Sequence, residues 1–222
     1  MEGKQMKYHS LPSLMWIIFK SSFKKQLTNT FGYDAKEAST ITTKAKIKYK
    51  EIISPLPEFE KRDRFKINII SAAMLSAFIL NLPKRPDVET LTLYYRNAMM
   101  TKLMKKFCRI KAKKKFSKLD IELMKETESL KAANRNPYSW NMEFYPYPDN
   151  SGYEARFTKC GICTLMKKLD LYDLTPALCK LDYTMSEAGK ATDFFRKYTL
   201  ASGGPYCDCG YKKKGIFILK QN

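Results

Sequence analysis

The interpretation of this chain depends on residues 157–211, FTKCGICTLMKKLDLYDLTPALCKLDYTMSEAGKATDFFRKYTLASGGPYCDCGY. Five of the six cysteines lie inside it, whereas the residues before it follow helical patterns. Thiols become nucleophiles or metal ligands where a helix end, a charged group or a metal lowers their pKa. We therefore look for function in this stretch first.

The helical patterns before residue 135 include one that is apolar on every side. The run FKINIISAAMLSAFILNL, from Phe65 to Leu82, predicts a central helix that is shielded all round. Earlier in the chain, Asp34 follows a turn at Gly32 and predicts the start of another helix.

A third helix is predicted from Val88 past Met104, and its second half is basic from Lys102 to Lys118. Its apolar stripe consists of Leu103, Phe107 and Ile110. Two interpretations fit: the helix grips phosphates or an anionic membrane, or the stripe packs against the protein while the lysines face water.

The pattern changes to alternation after residue 136. Residues 138–145 and 153–158 alternate in polarity around the turn sequence PDNSG, which predicts a β-hairpin. Residues 193–202 predict a further strand, and Gly203-Gly204-Pro205 turns the chain into a last strand. Because side chains alternate along a strand, Cys207 and Cys209 point one way and Asp208 the other.

These patterns predict an α+β fold, in which an N-terminal helical layer packs on a small C-terminal antiparallel sheet with two inserted helices. The length of 222 residues and the hydrophobic content of 44% suit one core. We expect a single domain over 1–222, with a mainly helical part, 1–135, and a part, 136–222, that holds the sheet and the cysteine-containing helices.

The net charge of +19 arises from 41 basic and 22 acidic residues. Lysine predominates and is spread along the whole chain, whereas base-reading surfaces favour clustered arginine. We expect a lysine-rich solvated surface, and we do not expect a nucleic-acid partner.

The apolar run LPSLMWIIF near the N-terminus resembles a short signal core, but a basic SSFKK follows it without a cleavage site. The run is also too short to span a bilayer. We expect a cytoplasmic protein with reduced thiols and no membrane span.

Two cysteines open a short predicted helix, where the helix dipole favours a thiolate. Cys160 and Cys163 are therefore candidates for a nucleophile, a redox pair or two metal ligands, although a single C-x-x-C is also compatible with packing. The lone histidine, His9, is distant in sequence, which weakens any histidine-dependent triad.

A second predicted helix begins at Thr175-Pro176. At about 100° per residue, Cys179, Asp182 and Ser186 fall together on the border of its apolar stripe. A thiol and a carboxylate on one border indicate either a nucleophile with its base or a pair of metal ligands. In the alternative, Cys179 packs and Asp182 bonds the backbone or Arg196.

The motifs TKCGI, LCKLDYTMSEA and RKYTLASGGPYCDC together resemble the L-2-amino-thiazoline-4-carboxylic acid hydrolase family. FGYDAKEAS and the buried run FKINIISAAMLSAFI also fit the family's layout, so the resemblance covers most of the chain. The family's last motif usually ends Cys-Asp-Phe, whereas this chain has Cys207-Asp208-Cys209.

The resemblance implies a hydrolase that opens a cyclic amidine or thiazoline-type ring in a small carboxylate substrate, by hydrolysis of a carbon-nitrogen bond. The residues expected to act are Cys179 as nucleophile, Asp182 for proton transfer and Arg196 on the substrate carboxylate. The residues expected to bind are Cys160, Thr199, Cys207 and Asp208.

A metal version remains open, in which Cys160, Cys179 and Cys207 hold a zinc or another divalent ion. A more distant similarity, to vinyl-reductase-like ligand-binding domains, leaves open a module that binds zinc or a small molecule without catalysis.

Overall fold

The computed structural model describes residues 10–60, 63–130 and 136–215. In these residues the helices are mostly N-terminal and a four-stranded antiparallel sheet is C-terminal. The predicted α+β class is therefore confirmed. His9 lies outside the described residues.

The described residues form two compact units. Unit 1 comprises 10–60, 63–101, 136–139 and 160–181, and unit 2 comprises 102–130, 140–159 and 182–215.

Unit 1 is built from helices. They are α1 (Leu11–Phe31), α2 (Ala35–Ile53), α3 (Lys66–Ile79), α4 (Val88–Met99), α7 (Gly161–Lys168) and α8 (Thr175–Cys179). The predicted cap of α2 is confirmed, because the Asp34 side chain accepts from the Lys36 and Glu37 amides and the Glu37 carboxylate accepts from the Asp34 amide.

Helix α3 is the centre of unit 1. Every residue from Ile69 to Ile79 is buried, as its apolar sequence predicts. Phe78 stacks on Phe23 of α1 at a centroid distance of 4.9 Å, and Tyr94 of α4 meets Phe23 edge-on at 5.6 Å. Among the helices of the described residues, none combines the length and apolar character that crossing a membrane takes.

Unit 2 combines a sheet with helices. Its elements are α5 (Lys102–Lys114), α6 (Lys118–Ser129), β1 (Asn141–Pro146), β2 (Gly152–Lys159), α9 (Leu181–Gly189), β3 (Thr192–Phe195) and β4 (Cys207–Lys213). Helix α9 belongs to unit 2 from Asp182 onward. The strands run antiparallel in the order β1-β2-β4-β3. The predicted hairpin is thus β1-β2, and β4 lies inside the sheet between β2 and β3.

The core of unit 2 lies on one face of this sheet. Cys207 and Cys209 are both buried there, together with Tyr153 of β2 and Met124 of α6. Asp208 is only half-buried. The predicted alternation along the last strand is confirmed, and this face positions the candidate site.

Two long helices predicted from the sequence are each broken in two. The helix from Val88 past Met104 stops at Met99, because Met100 takes a non-helical ψ of 52°, and α5 begins at Lys102. The helix from Thr175 stops at Cys179, with Lys180 as its C-cap, before α9 begins at Leu181. Periodicity continues across both breaks, so it does not reveal them.

The predicted strand over 193–202 is also too long. Only Thr192–Phe195 pairs with β4, and a short 3₁₀ turn follows at Leu200–Ser202. The intervening residues leave the sheet because Asp208 binds their backbone amides.

The apolar stripe of the basic helix does not pack against the protein, so that interpretation is wrong. Leu103, Phe107 and Ile110 are 60%, 46% and 47% exposed, and Cys108 is the buried residue of α5.

Candidate active site

Arg196 is the centre of the candidate site in unit 2. It follows β3 directly, and its side chain is only 5% exposed. Its Nη1 donates to Asp182 Oδ2 at 2.8 Å and lies 3.8 Å from Cys209 Sγ. The guanidinium also lies over the rings of Tyr183 and Phe194, at 5.5 and 5.3 Å. These contacts hold a buried positive charge between α9, β3 and β4.

Asp182 supplies the neutralising charge from the first turn of α9. Its side chain is 44% exposed, so the carboxylate of the pair is partly accessible while the guanidinium is buried. The protein atoms around the carboxyl group raise the pKa of Asp182, while the positive charges of Arg196 and Lys115 act in the opposite direction. A carboxylate that is partly open can accept a proton from a bound molecule.

Lys115 adds a second positive charge to this part of unit 2. Its Nζ lies 3.5 Å from the centre of the Tyr211 ring and 5.0 Å from that of Tyr153. The charges of Lys115 and Arg196 both act on the carboxylate of Asp182 and favour its ionised form.

Two side chains of β4 at this site are held in their neutral forms. Burial and the Asp182 charge raise the pKa of the Cys209 thiol above the usual thiol range, against the opposing effect of Arg196. The same two causes raise the pKa of the Tyr211 hydroxyl well above its ordinary value. Because the thiolate is the nucleophilic form, Cys209 is a packing thiol here.

Asp208 organises the loop between β3 and β4. Its carboxylate accepts from the Lys197 amide at 3.0 Å and from the Tyr198 amide at 2.6 Å. Cys207 Sγ lies 3.2 Å from the Leu200 amide nitrogen, which donates to it. These bonds fix the backbone immediately after Arg196.

Thr199 caps the 3₁₀ turn in the same loop, because its Oγ1 accepts from the Ser202 amide at 3.1 Å. The loop therefore engages three of the residues expected to bind ligand, namely Thr199, Cys207 and Asp208. Their role in binding a ligand stays a prediction.

The remaining predicted residues belong to unit 1. Cys160 is the N-cap of α7 without a side-chain capping bond, and Cys179 is the half-buried last residue of α8. The hydrogen bond with Cys163 and burial raise the pKa of Cys160 well above the usual thiol range. Both effects oppose that of the helix N-terminus, and the role of Cys160 stays a prediction.

The break at Lys180 also changes the expected line of Cys179, Asp182 and Ser186. Asp182 and Ser186 remain on one helix, α9, but Cys179 ends the preceding one. Ser186 Oγ lies 2.7 Å from Thr192 Oγ1 and ties α9 to β3. The structure agrees with the alternative in which Asp182 bonds Arg196.

A metal site needs several donor side chains close together. Within 10–60, 63–130 and 136–215, no three or more His, Cys, Asp or Glu side chains are grouped so that they could hold a metal ion. The set Cys160, Cys179 and Cys207 stays a prediction.

Lys115 and Tyr211 are site residues that the sequence did not reveal. Tyr211 shares the strand face of Cys207 and Cys209, so two-residue alternation could have found it. Lys115 carried no distinguishing signal, because it is one of many lysines in its segment.

The family model for L-2-amino-thiazoline-4-carboxylic acid hydrolase matches residues 67–211, which include Asp182, Arg196 and Cys209. The chain belongs to this family. The resemblance seen in the sequence motifs is thereby confirmed. Comparisons with curated proteins and with solved structures gave no significant match.

The neutral thiol of Cys209 predicts a specific loss of stability at alkaline pH. Its folded pKa lies above the ordinary value of 9.0, so unfolding releases a proton once the pH exceeds that value. As the pH rises from about 9 to about 10, the free energy of unfolding should fall by about 1 kcal/mol more in wild type than in Cys209→Ala. Chemical denaturation at each pH measures this difference. The same dependence of the free energy of unfolding on pH in both proteins would contradict a neutral buried thiol.

Proposed function

We propose that the protein is a hydrolase that opens a cyclic amidine ring of the thiazoline type in a small carboxylate substrate. The observation that carries the proposal is the Asp182–Arg196 ion pair. The Asp182 side chain is 44% exposed, and the Arg196 side chain that it contacts is 5% exposed. Family membership supports the reaction class. The compound in the family's description, L-2-amino-thiazoline-4-carboxylic acid, is the substrate to test first.

Asp182 acts as the general base in this proposal. It takes a proton from water as the water oxygen bonds to the ring carbon between sulfur and nitrogen. The carbon-nitrogen bond of the ring then breaks, and the proton passes to the departing nitrogen. One water is consumed, and the product is an S-carbamoyl-cysteine with a free amine. Such proton transfer typically contributes about 10²-fold to 10⁴-fold to a rate.

Arg196 holds Asp182 in position and supplies positive charge. Its bond to Oδ2 leaves the carboxylate in one orientation, fixed further by the rings on which the guanidinium lies. Together with Lys115, it attracts the substrate carboxylate and favours a negative charge that develops on the ring during water addition.

A covalent version of the proposal gives the attack to Cys179. Its thiolate would bond to the ring carbon, and the ring carbon-nitrogen bond would break with a proton passing to the nitrogen. Water would then displace the Cys179 sulfur from that carbon, which gives the carbamoyl product and restores the thiol. The water version is favoured by the open carboxylate of Asp182. The covalent version rests on the half-buried position of Cys179 and on the family resemblance.

A binding module without catalysis is the second candidate. It is favoured by the way Thr199, Cys207 and Asp208 are engaged by the loop itself, while Cys209 and Tyr211 are neutral. This candidate predicts saturable binding of the thiazoline carboxylate with no ring opening, measurable by calorimetry and by product analysis.

Asp182→Asn should lower kcat for ring opening by about 10²-fold or more, because the amide cannot accept the proton from water. The matched control is Glu187→Gln, an exposed carboxylate on the same helix that should retain wild-type turnover. Since the substitution also removes the partner of a buried charge, thermal denaturation must first show that the variant is folded at the assay temperature. Equal kcat in a folded Asp182→Asn protein would exclude the general-base role.

Cys179→Ala distinguishes the water and covalent versions. If Asp182 activates water directly, the turnover of Cys179→Ala should stay within about tenfold of wild type. Mass spectrometry of wild type during turnover should then show no substrate adduct on the protein. Loss of turnover together with an adduct on wild-type Cys179 would replace the water version by the covalent one. A thiol reagent checks the bond that breaks, because cleavage of carbon-nitrogen yields no free product thiol whereas cleavage of carbon-sulfur yields one.

A further inference from the structure

Helix α5 carries an apolar surface that the described fold does not cover. We call Leu103, Phe107 and Ile110 the α5 stripe. The three side chains are 60%, 46% and 47% exposed. Their spacing of four and three residues places them on one side of the helix, one turn above the next. Three large exposed apolar side chains in a row mark an interaction surface.

The contact between α5 and α9 determines which side of α5 faces solvent. Cys108 is buried, and a Cβ built on Gly189 of α9 would meet Ala112 Cβ at 2.9 Å. Helical geometry puts Cys108 more than a third of a turn, and Ala112 nearly half a turn, away from the α5 stripe. The stripe is therefore held away from the contact with α9.

The charge of α5 has one sign. The helix carries seven basic residues and no acidic one: Lys102, Lys105, Lys106, Arg109, Lys111, Lys113 and Lys114. Lys106 and Lys111 border the α5 stripe on its two sides, and Lys111 Nζ lies 5.5 Å from the centre of the Phe107 ring. Long lysine side chains at the border of an apolar strip can extend upward to phosphate groups while the strip is buried.

We propose that α5 docks on an anionic lipid surface. The α5 stripe lies at the boundary between headgroups and acyl chains, and the flanking lysines bind lipid phosphates. A nucleic-acid backbone would use the lysines but not three exposed apolar side chains. The lipid surface matches both features at once. This docking is independent of the ring-opening reaction.

Co-sedimentation of the full chain with vesicles tests the docking. Vesicles of phosphatidylcholine with about a third phosphatidylserine should bind the protein, and vesicles of pure phosphatidylcholine should bind it at least about tenfold more weakly. Phe107→Ser removes the largest apolar contact and should weaken binding to the anionic vesicles by about tenfold. The pair Lys106→Glu and Lys111→Glu should weaken it by about tenfold or more.

Matched controls lie on α2. Ile47→Ser changes an apolar side chain that is 59% exposed, and the pair Lys44→Glu and Lys46→Glu makes the same charge change on an exposed surface. These controls should bind the anionic vesicles within about threefold of wild type, which would support docking through α5. Circular dichroism verifies that all variants are folded.

Three results would overturn the proposal: no binding of wild type to anionic vesicles, equal loss in the α2 controls, or unchanged binding of Phe107→Ser. The third result would mean that the net charge alone attracts the protein. Tighter binding of wild type to a DNA duplex, with Phe107→Ser binding the duplex equally well, would also overturn it in favour of a nucleic acid.

Discussion

A buried guanidinium must keep its counter-charge, and this constraint organises the candidate site. Arg196 is 5% exposed, and the carboxylate that neutralises it comes from Asp182 at 2.8 Å. Removing one partner of a buried ion pair typically costs about 3–5 kcal/mol, because it leaves an uncompensated charge. The positions of α9, β3 and β4 are therefore coupled through one side chain. The loop that leaves β3 is fixed as well, since Asp208 binds the two amides that follow Arg196.

The same constraint decides which groups can react. In the low-dielectric surroundings of the pair, the nearby thiol and phenol of β4 stay protonated, because ionising them would place a second negative charge beside Asp182. The carboxylate is the group that carries charge and is also partly open. Family membership supports the proposed class of reaction, and within that proposal the ionisation pattern favours Asp182 over Cys209 as the base.

The sequence predicted those parts of the fold that depend on local pattern. The apolar helix α3, the hairpin β1-β2 and the two-residue alternation of Cys207 and Cys209 follow directly from side-chain periodicity. The pairing of Arg196 with Asp182 was one of two open interpretations. Choosing between them needed the sheet, because β3 and β4 bring Arg196 and Cys209 together only once paired.

The rest depended on features that periodicity does not carry. The break at Lys180 separates Cys179 from the helix of Asp182, although the apolar pattern continues through it. The exposure of Phe107 is a similar case, since an amphipathic pattern identifies an apolar side but not what covers it. At Cys160, a neighbouring thiol and burial raise the pKa against the effect of the helix dipole, and periodicity reveals neither.

The pH dependence of kcat/KM for opening L-2-amino-thiazoline-4-carboxylic acid tests the central role of Asp182 most directly. A general base must be ionised to act, so activity should rise with pH through the pKa of Asp182, which lies above the ordinary 3.8. We predict an acid limb with a midpoint above that value in wild type, and no such limb in the residual activity of Asp182→Asn. The same acid limb in both proteins would contradict the assignment.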